Sequence, residues 1–258
     1  MSRLLPYLKW LYSIYAICCA IVLLLLLFPF ALFSLLIREP GGSNMLCTAC
    51  HIYARLWFAM VGIRYREIHA ANPRTPEQNI YIANHCSYID ILIMFRAMKI
   101  PFRPLGKNEM TRYPVFGFFY KRLVITVNRK DLLSRSKSII DLKETLKRHI
   151  PVFIFPEGTF NESGEPLKRF YDGAFRLALK TGTAIRPLVF VDSLQRMHYR
   201  SIFTIWPGVC RVVFLREIDV HHYSAEDSAL LKKDVFMKMR NTLEEYNTSY
   251  MKLRCESA

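Results

Sequence analysis

Two stretches of this sequence combine residue types that could carry a reaction. In Asn84-His85-Cys86-Ser87-Tyr88-Ile89-Asp90, a histidine and an aspartate stand five positions apart where a β-rich run ends. An imidazole can take up and return a proton, and a neighbouring carboxylate fixes its tautomer and stabilises the imidazolium. The spacing restricts how they can meet. Five residues at about 100° each leave the two side chains roughly 140° apart on a regular helix. His85 and Asp90 therefore form a pair only if the chain between them is a turn or a distorted helix start. In the other stretch, Val152-Phe153-Ile154-Phe155-Pro156-Glu157-Gly158-Thr159, an apolar strand ends in a proline, a carboxylate and a glycine. That puts polar groups at a sheet edge, where α/β folds build their sites. Gly158 lets backbone approach a ligand closely. Between the two stretches lie Lys107 and Arg129, fixed cations of the kind that suits a phosphate. Taken singly, each signal is weak. Pro-x-Gly also marks a plain turn, and a basic pair also marks a solvated face.

Three further patterns compete for attention. Cys86 or Ser87 beside His85 suggests a nucleophile and a covalent intermediate. On extended backbone, however, adjacent side chains diverge. Cys47-Thr48-Ala49-Cys50-His51 matches the C-x-x-C-H pattern of covalent haem attachment. Its neighbours (Met45, Leu46, Ile52, Trp57, Phe58) read instead as an apolar helix, and a haem would require this segment to lie outside the cytoplasm. Asn161-Glu162-Ser163 and Asn247-Thr248-Ser249 match the glycosylation sequon, idle on a cytoplasmic face.

The elements that must position these residues alternate. β-rich runs are expected at Asn79–Ala83, Leu123–Val127, Val152–Phe155, Ile185–Val191 and Val209–Leu215. Helices are expected near Ile89–Met98, Glu109–Tyr120, Ser134–His149, Tyr171–Thr181 and Ala225–Tyr246. Such alternation predicts an α/β layered sheet. With no repeat or long linker in sight, residues 64–258 read as one domain, preceded by a membrane-attachment segment over 1–63.

That segment contains 27 residues without a charge, Leu11 to Ile37. About 20 apolar residues span a bilayer core. The run is too long for a signal-peptide core, and no small-x-small cleavage site follows closely. Pro29 predicts a bend inside it. A second apolar stretch, Met45 to Ile63, follows the Pro40-Gly41-Gly42 turn signal; with His51 and Arg55 it suits an interfacial helix. Either a helical hairpin held in one leaflet or one span plus one surface helix results. The chain of 258 residues has a formal net charge of +15. Residues 101–150 hold twelve Lys/Arg against four acids, a local +8. Such a surface attracts anionic lipid or nucleic acid equally well. A nucleic-acid binder accounts for the charge but not for Leu11–Ile37. Seven unpatterned cysteines in a chain this long do not make a disulfide framework and fit a reducing compartment.

Taken in order, Asn84-His85…Asp90, Lys107-x-Glu109 with Pro114 and Gly117, Val127-Asn128-Arg129, Phe155-Pro156-Glu157-Gly158-Thr159 and Ile185-Arg186-Pro187 resemble the motifs of the PlsC-type 1-acylglycerol-3-phosphate acyltransferase family. The resemblance covers roughly residues 75–215. It implies a glycerolipid acyltransferase-like mixed sheet with flanking helices, joined to an N-terminal apolar hairpin. It implies His85 as general base, Asp90 as its orienter, and Lys107, Arg129, Glu157, Gly158 and Thr159 as the grip on a glycerol phosphate. The donor would be an acyl thioester, on coenzyme A or acyl carrier protein, and the acceptor a lysophospholipid at the bilayer, on its cytoplasmic face. No metal, other cofactor or nucleic acid is implied. The sequence departs from the family at Asn128, where an acid is usual; at Tyr171-Asp172-Gly173, where lysine is frequent, with Lys168 and Arg169 nearby; and at Arg186, usually apolar. These departures leave other acceptors open, glycerol 3-phosphate or a lyso-aminolipid. A catalytically idle lipid-binding protein is the rival from another class.

Overall fold

The computed structural model describes residues 5–70, 79–113 and 116–246. Pro114 and the second sequon, Asn247-Thr248-Ser249, lie outside them. The chain gathers into two compact units, one formed by 1–68, 86–101 and 192–212, the other by 69–85, 102–191 and 213–258.

The first unit is built on two long helices, α1 (Leu5–Ser34) and α2 (Gly41–Met60). α1 runs unbroken through Pro29. It is the one helix, among the described residues, long and apolar enough to cross a membrane: within Tyr7–Ser34 an 18-residue window reaches a mean hydropathy of 3.0, with only 17% of that window buried. The two helices form a hairpin whose buried polar atoms meet partners. Trp57 Nε1 donates to the Ala16 carbonyl (2.8 Å) and Tyr53 Oη to that of Ala20 (3.1 Å). The hairpin is no loose appendage. Ser13 Oγ accepts the Ile205 N–H at 3.0 Å, and Trp10 and Tyr12 pack on the Phe203 and Trp206 rings. His51 Nδ1 lies 2.8 and 3.1 Å from the Phe95 and Met98 carbonyls, so the ring is held by α3 (Asp90–Ala97) and its exit. With Cys47 buried as well, the C-x-x-C-H run is helix packing. β1 (Ile63–His69), the short α7 (Ser193–Arg196) and most of β7 (Gly208–Phe214) also belong here. The Asp192 carboxylate, 2% exposed, takes three hydrogen bonds from Arg211, through its backbone N–H, Nε and Nη2.

The second unit carries β2 (Ile80–Ala83), β3 (Arg103–Lys107), β4 (Ile125–Val127), β5 (Val152–Ile154) and β6 (Ile185–Phe190). The strands of this unit are ordered β6-β2-β5-β3-β4. The pairings β6·β2, β2·β5, β5·β3 and β3·β4 are parallel. β2, β5 and β6 are buried along their whole length, as strands covered on both faces must be. The covering helices are α4 (Phe116–Leu123), α5 (Leu132–Lys147), α6 (Gly173–Thr181) and α8 (Ser228–Tyr246). α5 buries Ser138, Leu142 and Leu146, and α8 buries Leu231, Val235, Met239 and Leu243, each a stripe at four-residue spacing. Asp131 caps α5, its carboxylate accepting the Leu133 and Ser134 N–H groups.

The sequence expectations differ from the structure in three ways. The helix expected over Glu109–Tyr120 is two pieces, a 3₁₀ turn at Asn108–Arg112 and then α4. Leu123, expected in a strand, closes α4. β1 and β3 were not expected: in β1 the adjacent Arg66 and Glu67 break the apolar–polar alternation, and β3 contains Pro104 and Gly106, which ordinarily interrupt strands. A side chain at 106 would collide with Tyr120, which crosses there.

Candidate active site

Because β2, β3, β4 and β5 are parallel, the segments leaving their carboxyl ends share one rim of the sheet. This is where ligands bind in open α/β folds. His85 leaves β2, Lys107 ends β3, Arg129 follows β4, and Glu157-Gly158-Thr159 follow β5. Asn84 makes the exit from β2 possible. Its Nδ2 donates to the Phe190 carbonyl (3.0 Å) and its Oδ1 accepts the Phe190 N–H (2.8 Å). A side-chain amide thus continues the β2–β6 pairing for one more step while the main chain turns away.

His85 is then fixed by three kinds of contact. Its N–H donates to Glu157 Oε1 at 2.8 Å, its carbonyl accepts the Asn161 N–H at 2.7 Å, and its ring stacks on Phe155 at 4.2 Å between centroids. Phe160 closes on the ring edge at 4.6 Å. Glu157 is fully buried, and its other oxygen accepts the Lys168 N–H at 2.9 Å. Both oxygens of this carboxylate thus engage backbone donors of the protein, so Glu157 binds the His85 turn to the loop after β5. Thr159 Oγ1 receives Lys168 Nζ at 2.8 Å, which brings a third lysine or arginine to the rim. Asn161, 4% exposed, spends its side chain on Ser163 and the Glu165 carbonyl, so the asparagine of the first sequon is buried and already hydrogen-bonded.

Arg129 is half-buried, and burial lowers its pKa, while Tyr171, Glu109 and Tyr120 act in the opposite sense. Among the described residues its guanidinium forms no ion pair. A planar, half-desolvated cation in that condition suits an oxyanion with two acceptors to offer. Gly158 sits beside it with φ +76°; a Cβ there would stand 2.8 Å from the Tyr171 ring and 3.2 Å from Arg129 Nη1. The backbone at 158 can therefore lie against whatever Arg129 holds. Lys107 is exposed, paired in register with Val127, two residues before Arg129.

Asp90 belongs to the other unit. It opens α3 and is fully buried, and its Oδ2 accepts the N–H groups of Cys86 (2.7 Å) and Ser87 (2.8 Å). The residues before it, Ser87 to Ile89, form the turn that the five-residue spacing requires. Cys86 is buried, and Ser87 Oγ donates to the Met197 carbonyl at 2.5 Å. That bond occupies the hydroxyl that a serine nucleophile would need free. The same unit carries an open apolar pocket of about 170 Å³, with Ile17, Trp57, Ile89, Met197 and Ile205 among its walls.

Of the expected site residues in the second unit, His85, Lys107, Arg129, Gly158 and Thr159 come to one rim, and Glu157 lies beneath it. Sequence reading did not assign the roles of Asn84, Phe155, Phe160, Lys168 and Tyr171. The aromatic residues flanking Pro-Glu-Gly-Thr were the available signal for two of them.

Residues 65–191 match the family described as Acyltransferase. A 1-acyl-sn-glycerol-3-phosphate acyltransferase from Borreliella burgdorferi is 26% identical over 78% of this chain and 80% of its own length. That of Escherichia coli is 26% identical over 73% of this chain and 76% of its own. The chloroplastic LPAT1 of Arabidopsis thaliana is 28% identical over 65% of the chain, which spans about half of that longer relative (48%). The crystal structure of the 1-acyl-sn-glycerophosphate acyltransferase PlsC from Thermotoga maritima shares the fold, with a TM-score of 0.76 over 96% of this chain and 98% of its own, at 21% identity. Over residues 65–191 the chain thus matches the acyltransferase family, and the relatives it resembles are 1-acyl-sn-glycerol-3-phosphate acyltransferases.

Proposed function

We propose that this protein transfers an acyl chain from an acyl thioester, on coenzyme A or acyl carrier protein, to the free hydroxyl of 1-acylglycerol 3-phosphate, making phosphatidic acid. The observation that carries the reading is Arg129, a half-buried cation without an ion-pair partner among the described residues, on the rim that also bears His85. In this reading His85 takes the proton of the acceptor hydroxyl as its oxygen attacks the thioester carbonyl. Asp90 orients the imidazole and stabilises its charged form. The new C–O bond replaces the C–S bond, and the proton passes to the departing thiolate. Attack is direct, because a base and two positioned substrates suffice. Arg129, Lys107, the Gly158 backbone and Thr159 with Lys168 hold the phosphate, and Glu157 acts from below by fixing His85. The apolar pocket of the first unit has the chemistry to receive an acyl chain. We assign residues 1–63 to membrane attachment and 64–258 to the acyltransferase body. Tyr7–Ser34 is the membrane-embedded element, with the reacting groups on the cytoplasmic side, where acyl thioesters are found.

An acceptor screen with purified protein and one labelled acyl thioester tests this. Labelled phosphatidic acid from 1-acylglycerol 3-phosphate, and much less product from glycerol 3-phosphate or a lyso-aminolipid, is the expected result. Exclusive use of either alternative acceptor overturns the assignment of substrate. Absence of transfer to any acceptor, with lipid still bound, favours an idle lipid-binding protein.

A further inference from the structure

The carboxyl rim of the second unit carries apolar side chains that nothing in that unit covers. Leu132 and Leu133, in the first turn of α5, are 69% and 81% exposed. Tyr113 and Phe116, at the entry to α4, are 59% and 50% exposed. The inward stripe of α5 begins at Ser138, and Gly117 and Leu123 face inward on α4, so these four are not core residues turned the wrong way. Topology explains why they share a rim. α4 enters a strand that leads to Arg129 and α5 leaves it, so the start of each helix lies toward the carboxyl ends of β3 and β4. Lys107, Arg112, Lys130 and Arg135 are exposed among them. The acids there are two. Glu109 is exposed, and Asp131 already accepts two backbone N–H groups at the α5 cap.

We infer that this lip, Tyr113, Phe116 and Lys130 to Arg135, seats on the headgroup layer of an anionic bilayer. Two leucines and two aromatic rings ringed by lysine and arginine have the composition of an interfacial membrane contact. The apolar groups enter the acyl boundary and the cations meet lipid phosphates. A tyrosine ring with its one polar edge, as at Tyr113, prefers that depth. The inference rests on the function proposed above. An acceptor held in a leaflet has its phosphate at the headgroup plane, and it reaches Arg129 only if the rim of β4 comes to that plane. The lip adds a contact far along the chain from Tyr7–Ser34, on the unit that bears His85 and Arg129.

The test uses the full chain with Cys18 and Cys255 replaced by serine and an environment-sensitive fluorophore on Leu133→Cys. A matched protein carries it on Lys147→Cys, and the background without an added cysteine is subtracted. Positions 133 and 147 lie on one helix, about 21 Å apart at 1.5 Å per residue. In vesicles of phosphatidylglycerol and phosphatidylcholine, the probe at 133 should shift to the blue and be quenched by a nitroxide lipid labelled near the headgroup. The probe at 147 should remain water-like. No quenching at 133, or equal quenching at both positions, overturns the lip. A response at 133 to acyl carrier protein but not to vesicles also overturns it and makes the surface a donor-docking face. Acyl transfer to 1-acylglycerol 3-phosphate is measured on the same labelled proteins. Activity without quenching sinks only the lip, whereas quenching without transfer sinks the proposed reaction. As a second arm, Leu132→Ser/Leu133→Ser should raise KM for bilayer-embedded acceptor about tenfold and leave KM for a short-chain soluble acceptor unchanged. Equal effects on both acceptors would point to damaged folding.

Discussion

Glu157→Gln separates a carboxylate that holds the site from one that touches substrate. Glu157 is fully buried and accepts backbone N–H groups of His85 at 2.8 Å and Lys168 at 2.9 Å. Glutamine has the same shape but offers only one acceptor oxygen. Whichever way the amide lies, its NH₂ faces a backbone donor. One charge-assisted bond is lost, about 1.5–3 kcal/mol, and a buried N–H is left without an acceptor, about 1–3 kcal/mol. The neutral amide costs less to desolvate, which offsets part of this. A net loss of about 2–4 kcal/mol follows. For a protein of this size each kcal/mol lowers Tm by about 2–4 °C, so Tm should fall by roughly 5–15 °C. Because the lost bond positions the His85 main chain, catalysis should suffer as well. A displacement of about 1 Å of a reacting group costs on the order of a hundredfold, and it should appear in kcat, with KM for the acceptor little changed. The assays are thermal unfolding of the purified protein in detergent and steady-state kinetics with acceptor and thioester varied separately. An unchanged Tm together with a raised acceptor KM would refute the reasoning and return Glu157 to direct contact with the phosphate.

Other substitutions test the rest of the site. His85→Ala should lower kcat by about 10²–10⁴, the usual size of general-base catalysis, with lysophospholipid binding retained; activity within about threefold of the parent would remove His85 from the role. Asp90→Asn should also be damaging, since it weakens the hydrogen bonds from Cys86 and Ser87 and the orientation of the base together; an unchanged pH–rate profile and kcat would argue against it. Arg129→Ala should raise acceptor KM about ten- to a hundredfold and thioester KM much less, and equal rises would point to a donor-site or folding role. Arg211→Met should remove the two side-chain hydrogen bonds to the buried Asp192 carboxylate and leave the backbone one, at a cost of about 1.5–3 kcal/mol of stability, read as a lowered Tm, while a Tm unchanged by the substitution would contradict the ion pair.

Without coordinates, the order of motifs pointed to the family, and local patterns to the α/β class, five of the seven strands among the described residues and the membrane-compatible run at Leu11–Ile37. These are local signals. Apolar runs, turn residues and helical periodicity are written in consecutive residues, and a catalytic motif is a short string. The five-residue spacing of His85 and Asp90 even dictated a turn between them, because no regular helix brings such residues together. Nothing local distinguished Glu157 from its neighbours Gly158 and Thr159 as the member that faces inward. Its role depends on the N–H groups of His85, 72 residues earlier, and Lys168, 11 residues later. The same is true of Asn84, whose side chain substitutes for main chain only because Phe190 runs beside it on the neighbouring strand. β1 and β3 were hidden because the adjacent charges Arg66 and Glu67 break the alternation that marks a strand, and because proline and glycine argue against one until neighbours pair with it. The apolar hairpin read as an appendage ending near residue 63. Tertiary contacts also join it to 86–101 and 192–212, through His51 and Ser13. A sequence records which residues are apolar or polar, but which polar atom satisfies which is decided by partners far away in the chain, and only the folded chain brings those partners together.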